Sequence, residues 1–161
     1  MSPKTTNIAI MFADISGSTR LFEVLGDATA RVTVSDTLEL LTKVIHLHNG
    51  TVIKTIGDEV MCTFPTADDS ANAAVEMQET LEDANEMKDG DAPEIKIRVG
   101  MHFGPALMEG GDVFGDAVNV AARMAAQAKG GQIITTKSTV DLLEPIMRAS
   151  TRFVDRAPIK G

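Results

Sequence analysis

The chain has 161 residues, 43% of them hydrophobic and 24% charged, enough for one domain with a real core and too few for two. Lys and Arg number 15 against 23 Asp and Glu, a net charge of −8, which excludes a nucleic-acid backbone as a natural partner and requires local cations or metal ions wherever phosphate is held. Cys62 is the one cysteine, so no intrachain disulfide framework exists; with no apolar run near the ~20 residues of a membrane span and a polar N-terminus, the expectation is a cytoplasmic domain without membrane contact.

Asn7–Asp14 alternates Ile8, Ile10 and Phe12 with small residues and reads as a buried strand. Ser16-Gly17-Ser18-Thr19 then reads as a loop with helix-capping chemistry. Val34, Leu38, Leu41 and Ile45 recur at helical spacing, and Asn49-Gly50 predicts a left-handed cap at the end of that helix. Thr51–Ile56 and Glu59–Phe64 are strand-like runs joined by Gly57-Asp58, a type II′ hairpin signal. Ala67, Ala71, Ala74, Gln78 and Leu81 mark a second helix, and Lys88–Pro93 is a surface loop by composition. Ile95–Phe103 is the next strand, bent by Gly104-Pro105, with a turn at Gly110-Gly111. An alanine-rich helix follows over Asp116–Gln127, then a strand over Gln132–Thr135, a short helix over Ser138–Leu143 and a last strand over Thr151–Arg156. The opening order β-α-β-β-α-β is the ferredoxin-like arrangement. Its first strand lies antiparallel beside its third, which brings Asp14 and Asp58 to one edge of the sheet.

Two carboxylates at adjacent strand ends suit Mg²⁺ held jointly by protein and phosphate, although Asp is also common as a loop cap and in tight turns. The Ser16–Thr19 segment sits where backbone N–H groups can cradle an anion; it lacks a Walker A lysine and a GxGxxG spacing, and taken alone ordinary helix capping explains it better. Asn119 and Arg123, four apart, share one helix face, where an amide and a guanidinium can orient a sugar and stabilise phosphate charge; a solvated face is the alternative. His46, His48 and His102 have no ligand spacing and read as structural or surface residues.

Taken in order, these stretches resemble the class III nucleotidyl cyclases, the adenylyl and guanylyl cyclase family. Phe12-Ala13-Asp14-Ile15-Ser16-Gly17-Ser18-Thr19 is similar to the family's first metal-binding stretch and Lys54-Thr55-Ile56-Gly57-Asp58-Glu59 to its second. Arg98-Val99-Gly100-Met101-His102 resembles its central strand, the run from Asp112 to Arg123 its transition-state helix, and Lys160-Gly161 the start of its C-terminal lysine motif. The resemblance covers Asn7 to Gly161 and implies a single catalytic domain of the α+β class, a ferredoxin-like βαββαβ core with C-terminal additions. The end at Lys160-Gly161, close behind a strand-like stretch, reads as a cut within a longer chain.

The resemblance further implies a homodimer that converts ATP to cyclic AMP and pyrophosphate with two Mg²⁺ (or Mn²⁺). Asp14 and Asp58 would hold both metals together with the Ile15 carbonyl. Asn119 would orient the ribose and Arg123 stabilise the transition state. Arg98, Lys160 and the backbone amides around Ser16, Gly17, Ser18 and Thr19 would contact the triphosphate. Asp14, Asp58 and Arg98 would serve a site from one chain, and Lys54, Asp112, Asn119, Arg123 and Lys160 from the other. No side chain is implied as general base. The family's base-reading pair falls on Lys54 and Asp112. Lysine only donates and ionised aspartate only accepts, a pattern matched to adenine N1 and N6 and mismatched to guanine. The alternatives are a guanylyl cyclase, for which Glu and Cys at these two positions are more typical, and an inactive nucleotide-binding regulatory module. A diguanylate cyclase is a more distant rival, suggested by Gly57-Asp58-Glu59.

Overall fold

The computed structural model describes residues 4–90 and 92–154. Its centre is β1 (Lys4–Ser16), antiparallel to β3 (Glu59–Phe64) on one side and β4 (Lys96–Glu109) on the other. β2 (Thr51–Ile56) flanks β3 and β5 (Asp112–Phe114) flanks β4, giving the order β2-β3-β1-β4-β5, with β6 (Ile133–Thr135) parallel to β4. The four strands β2-β3-β1-β4 with their two crossovers make up the ferredoxin-like core. Three shorter elements, β5, β6 and helix α4 (Asp116–Gln127), complete the α+β domain.

Both faces of the sheet are covered, and for that reason the residues between the large apolar side chains of β1, Ala9, Met11 and Ala13, are apolar too. Ala9, Met11, Ala13 and Ile15 face a core shared with Leu41, Val44 and Ile45 of α2 (Asp27–Leu47) and Ala71, Ala74, Met77 and Leu81 of α3 (Ala67–Glu86). Ile10 and Phe12 point the other way, into a cluster with Met61, Val113, Ala117, Ala121 and Ala125 under α4. The small residues let helices lie close. A Cβ added at Gly100 would come within 1.9 Å of the Ala125 backbone nitrogen, so β4 and α4 touch main chain to main chain. Cys62 is buried in the first of these cores, which pushes its thiol pKa up and leaves it inert.

Local signals hold at several ends. Asn49 adopts φ 66° and closes α2 in a Schellman motif, with Gly50 N–H donating to the Ile45 carbonyl at 2.8 Å and Asn49 N–H to that of His46. Gly57 has φ 61° in the β2–β3 turn, as the first position of a II′ turn requires. Thr66 Oγ1 caps α3 by accepting from Asp69 N–H at 3.0 Å.

Elsewhere the chain departs from its sequence pattern. The first helix divides at Gly26 into α1 (Ser18–Leu25) and α2. Gly104-Pro105 does not end β4, which runs on to Glu109. β6 pairs with Val99–Met101 and β5 with Leu107–Glu109, so Pro105 falls where the edge of β4 away from β1 has no described neighbour and a missing N–H costs little. The late helix occupies Lys137–Val140 (α5) instead of Ser138–Leu143, and Pro145–Ala149 adds α6. The expected last strand is absent over 151–154, where the backbone is irregular, and Asp155 and Arg156 lie outside the described residues. Among the described residues, no helix is long and apolar enough to cross a membrane.

Candidate active site

The register of β1 against β3 sets Asp14 opposite Glu59, and Ile15 N–H donates to the Asp58 carbonyl at 3.2 Å. Asp14 and Asp58 thus meet at one sheet edge. Asp14 does not cap the following turn. On its other side lies Arg98 of β4, whose Nε and Nη2 donate to the two carboxylate oxygens of Asp14 at 2.9 and 2.8 Å. Glu59, to which the sequence reading gave no role, joins this group. Burial, then the charges of Asp14 and Asp58, raise its carboxyl pKa, while Arg98 opposes them. The signal was in the sequence, next to Asp58, but Glu is so ordinary in a strand that only the pairing with Asp14 sets it apart.

A second region lies across the α4 face of the sheet. The sheet curls until its edge strands β2 and β5 meet, and Lys54 Nζ donates to Asp112 Oδ2 at 3.0 Å. Asp112 Oδ1 accepts from Val113 N–H at 2.7 Å; that bond first, and Lys54 second, hold its carboxyl below the usual range. Beside the pair opens a groove of about 530 Å³ lined by Phe12, Met61, Ile56, Phe114, Asp116 and Asn119 among others. Ile56 and Phe114 are 51% and 48% exposed, large apolar side chains left at its rim. None of Asp14, Asp58 and Arg98 is among its lining residues.

The wall of the groove is α4. Its buried face is Ala117, Val120, Ala121, Met124 and Ala125. Asn119 and Arg123 fall on the opposite side of the helix, Asn119 exposed and Arg123 half-buried. Among the described residues neither side chain makes a hydrogen bond or ion pair within the chain. Asn119 lines the groove, whose lining does not include Asp14.

Ser16 ends β1, and Ser18 and Thr19 open α1, so the expected loop is a single turn at Gly17. Gly17 is the N-cap at φ 71°, with no side-chain cap. The expected side-chain capping is missing, which leaves backbone N–H groups at the start of α1 for an anion. Lys160 lies outside the described residues. Of the histidines, His102 is lowered in pKa by burial and binds Thr136 Oγ1 through Nδ1 at 2.8 Å, tying β4 to the start of α5. His48 pairs with Glu76 of α3 at 3.1 Å. Among the described residues, no three His, Cys, Asp or Glu side chains close around one point as a self-contained metal cage.

Known proteins share this arrangement. The family model described as "Adenylate and Guanylate cyclase catalytic domain" matches residues 1–161. Putative adenylate cyclase 3 of Rhizobium meliloti is 36% identical over 128 residues, covering 78% of this chain and 21% of that protein. Adenylate cyclase of Anabaena cylindrica is 31% identical over 175 residues, covering 98% of this chain and 35% of its own length. The chain thus spans between a fifth and about a third of these curated relatives. Among solved structures, an adenylate/guanylate cyclase/hydrolase from Silicibacter pomeroyi superposes with a TM-score of 0.81 at 29% identity, covering 99% of this chain and 92% of that one. A match over the full length, in sequence and in the path of the backbone, agrees with the curled sheet and its two flanking helical layers, and the chain belongs to the adenylate and guanylate cyclase catalytic domain family.

Proposed function

We propose that this domain is an adenylyl cyclase that makes 3′,5′-cyclic AMP and pyrophosphate from ATP in active sites shared between two copies of the chain. The observation that carries the choice of ATP is the Lys54–Asp112 pair at 3.0 Å on the edge of an apolar groove. Lys54 keeps donor hydrogens to spare and each Asp112 oxygen a further lone pair, so the pair can meet the N1 acceptor and N6 donor of adenine. Guanine, with a donor at N1 and an acceptor at O6, would leave both groups mismatched, which favours ATP over the guanylyl alternative. An inactive module is disfavoured because every described position of the family's site pattern is filled.

The shared site is supported by a separation within one chain: the groove that Asn119 lines includes none of Asp14, Asp58 and Arg98. Asp14, Asp58 and Arg98 sit at one sheet edge, while Asn119 and Arg123 project from the outer face of α4. A two-fold partner placed over the groove would bring its Asn119 and Arg123 to these carboxylates and cover Ile56 and Phe114.

The donor set fits Mg²⁺ or Mn²⁺. Asp14 and Asp58 offer hard oxygens, the Ile15 carbonyl a further one, and two carboxylates leave the remaining coordination to substrate and water. Bound there, two such ions would supply Lewis-acid polarisation of the attacking and leaving oxygens. The chain's own residues do the rest. Asn119 orients the ribose so that the 3′-oxygen faces the α-phosphorus. The bond from that oxygen to the α-phosphorus forms as the bond from the α-phosphorus to the bridging β-phosphate oxygen breaks, and the hydroxyl proton passes to water. Arg123 stabilises charge developing on the α-phosphoryl group, Arg98 and the N–H groups at the start of α1 hold the departing pyrophosphate, and Lys160 adds a further cation. The test is direct: purified protein with Mn²⁺ and either ATP or GTP, products separated by chromatography. Cyclic AMP from ATP with little cyclic GMP is expected; predominant cyclic GMP, or no product from either, would overturn the assignment.

A further inference from the structure

The fork of Arg98 spans both oxygens of Asp14, taking one lone pair on each and holding a full positive charge against the carboxylate that a metal ion would approach. The contact is built into the fold, because Asp14 and Arg98 are paired across β1 and β4 near one end of a long ladder. It is also partly shielded, the Asp14 side chain being 19% exposed. On the far side of Asp14 lie Asp58 and Glu59, so one guanidinium offsets the charge of a carboxylate group. Among the described residues, Arg98 makes no other side-chain bond, and its side chain is 37% exposed.

We propose that Arg98 occupies the metal position of Asp14 in the nucleotide-free protein and is drawn off by the incoming triphosphate, so that metal and nucleotide bind cooperatively through this one side chain. The idea rests on the reading of Asp14 as a metal ligand. A guanidinium fork and a divalent cation compete for the same oxygens and repel each other at that distance. A polyphosphate offers Arg98 an equivalent set of planar acceptors a short swing away, and a guanidinium matches phosphate as well as it matches carboxylate. The protein alone therefore holds metal weakly, and the carboxylates become free when the substrate that needs them arrives.

The experiment is a Mn²⁺ titration of the nucleotide-free protein followed by electron paramagnetic resonance, on wild type, Arg98→Gln, Arg98→Lys and Asp14→Asn. Removing the charge and the fork together in Arg98→Gln should tighten Mn²⁺ binding by roughly three- to tenfold, the scale of one bidentate ion pair in partial contact with water. Arg98→Lys keeps the charge but not the fork and should fall between. Equal or weaker binding in Arg98→Gln would overturn the proposal and make Arg98 a group that aligns Asp14 for the metal. Undiminished binding in Asp14→Asn would instead remove the metal reading beneath it. Wild type gives a check that does not depend on how the variants fold: the Nε–H resonance of Arg98 should move as Mg²⁺ is added, and a resonance unchanged at saturating Mg²⁺ would also overturn the proposal.

Discussion

Lys54 and Asp112 are distant in sequence and adjacent in space, each with a fixed chemical polarity. Lysine has no acceptor, and Asp112, held ionised by Val113 N–H and Lys54, has no donor. In the proposed adenylyl cyclase base choice rests on that pair, so exchanging its polarity should cost the matched base most. Lys54→Glu with Asp112→Cys should lower cyclic AMP formation at least about tenfold, because mismatched polar groups are left against adenine. Full ATP turnover in the double variant would show that these residues do not read the base. The meeting of Asp14 with Asp58, and of Lys54 with Asp112, was legible from the sequence, since these residues stand in ordered, recognisable stretches. The Arg98–Asp14 contact was not. It depends on a register across two strands separated by more than eighty residues, and no local pattern encodes which cation will face which carboxylate.

Helix α4 carries the outward-facing Asn119 and Arg123, and its position is set by its inner face. Gly100 lets the helix backbone rest directly on β4. Gly100→Ala must push α4 outward or distort β4, and overpacking of this kind costs about 1–3 kcal/mol or more. Denaturant unfolding should show the loss of stability. Turnover should fall more than stability alone explains, since Asn119 and Arg123 move with the helix; wild-type stability and activity together would contradict the close packing. The helical period of α4 was readable from its alanines and its i,i+4 polar pair. Elements that depend on neighbours were not. β5 is only Asp112–Phe114, too short for a period, and is a strand because β4 runs past Pro105 to meet it. The split at Gly26 and the small helix α6, by contrast, carry local signals, a glycine at φ 81° and Pro145 in the first helical turn.

At the scale of the whole molecule, one sheet carries two separate regions that the proposed function assigns to one reaction. The carboxylates of Asp14 and Asp58 lie at one edge, and the groove with the outer face of α4 lies elsewhere, so a two-fold partner is the economical way to join them. The general topology was legible because βαββαβ order fixes which strands are neighbours; the curl that brings β2 to β5 was not, since sheet curvature is a property of the assembled strands. The direct test of a shared site is complementation. Asp14→Ala and Arg123→Ala homodimers should each be nearly inactive, the second because losing one charge-stabilising donor typically costs about 10²–10³ in rate. After mixing and re-equilibration, about half the dimers should be mixed, each with one site carrying both lesions and the other carrying neither. The account predicts recovery of cyclic AMP synthesis toward roughly a quarter of wild type. No recovery, with mixed dimers demonstrated independently, would mean that the carboxylates and the α4 residues act within the same chain.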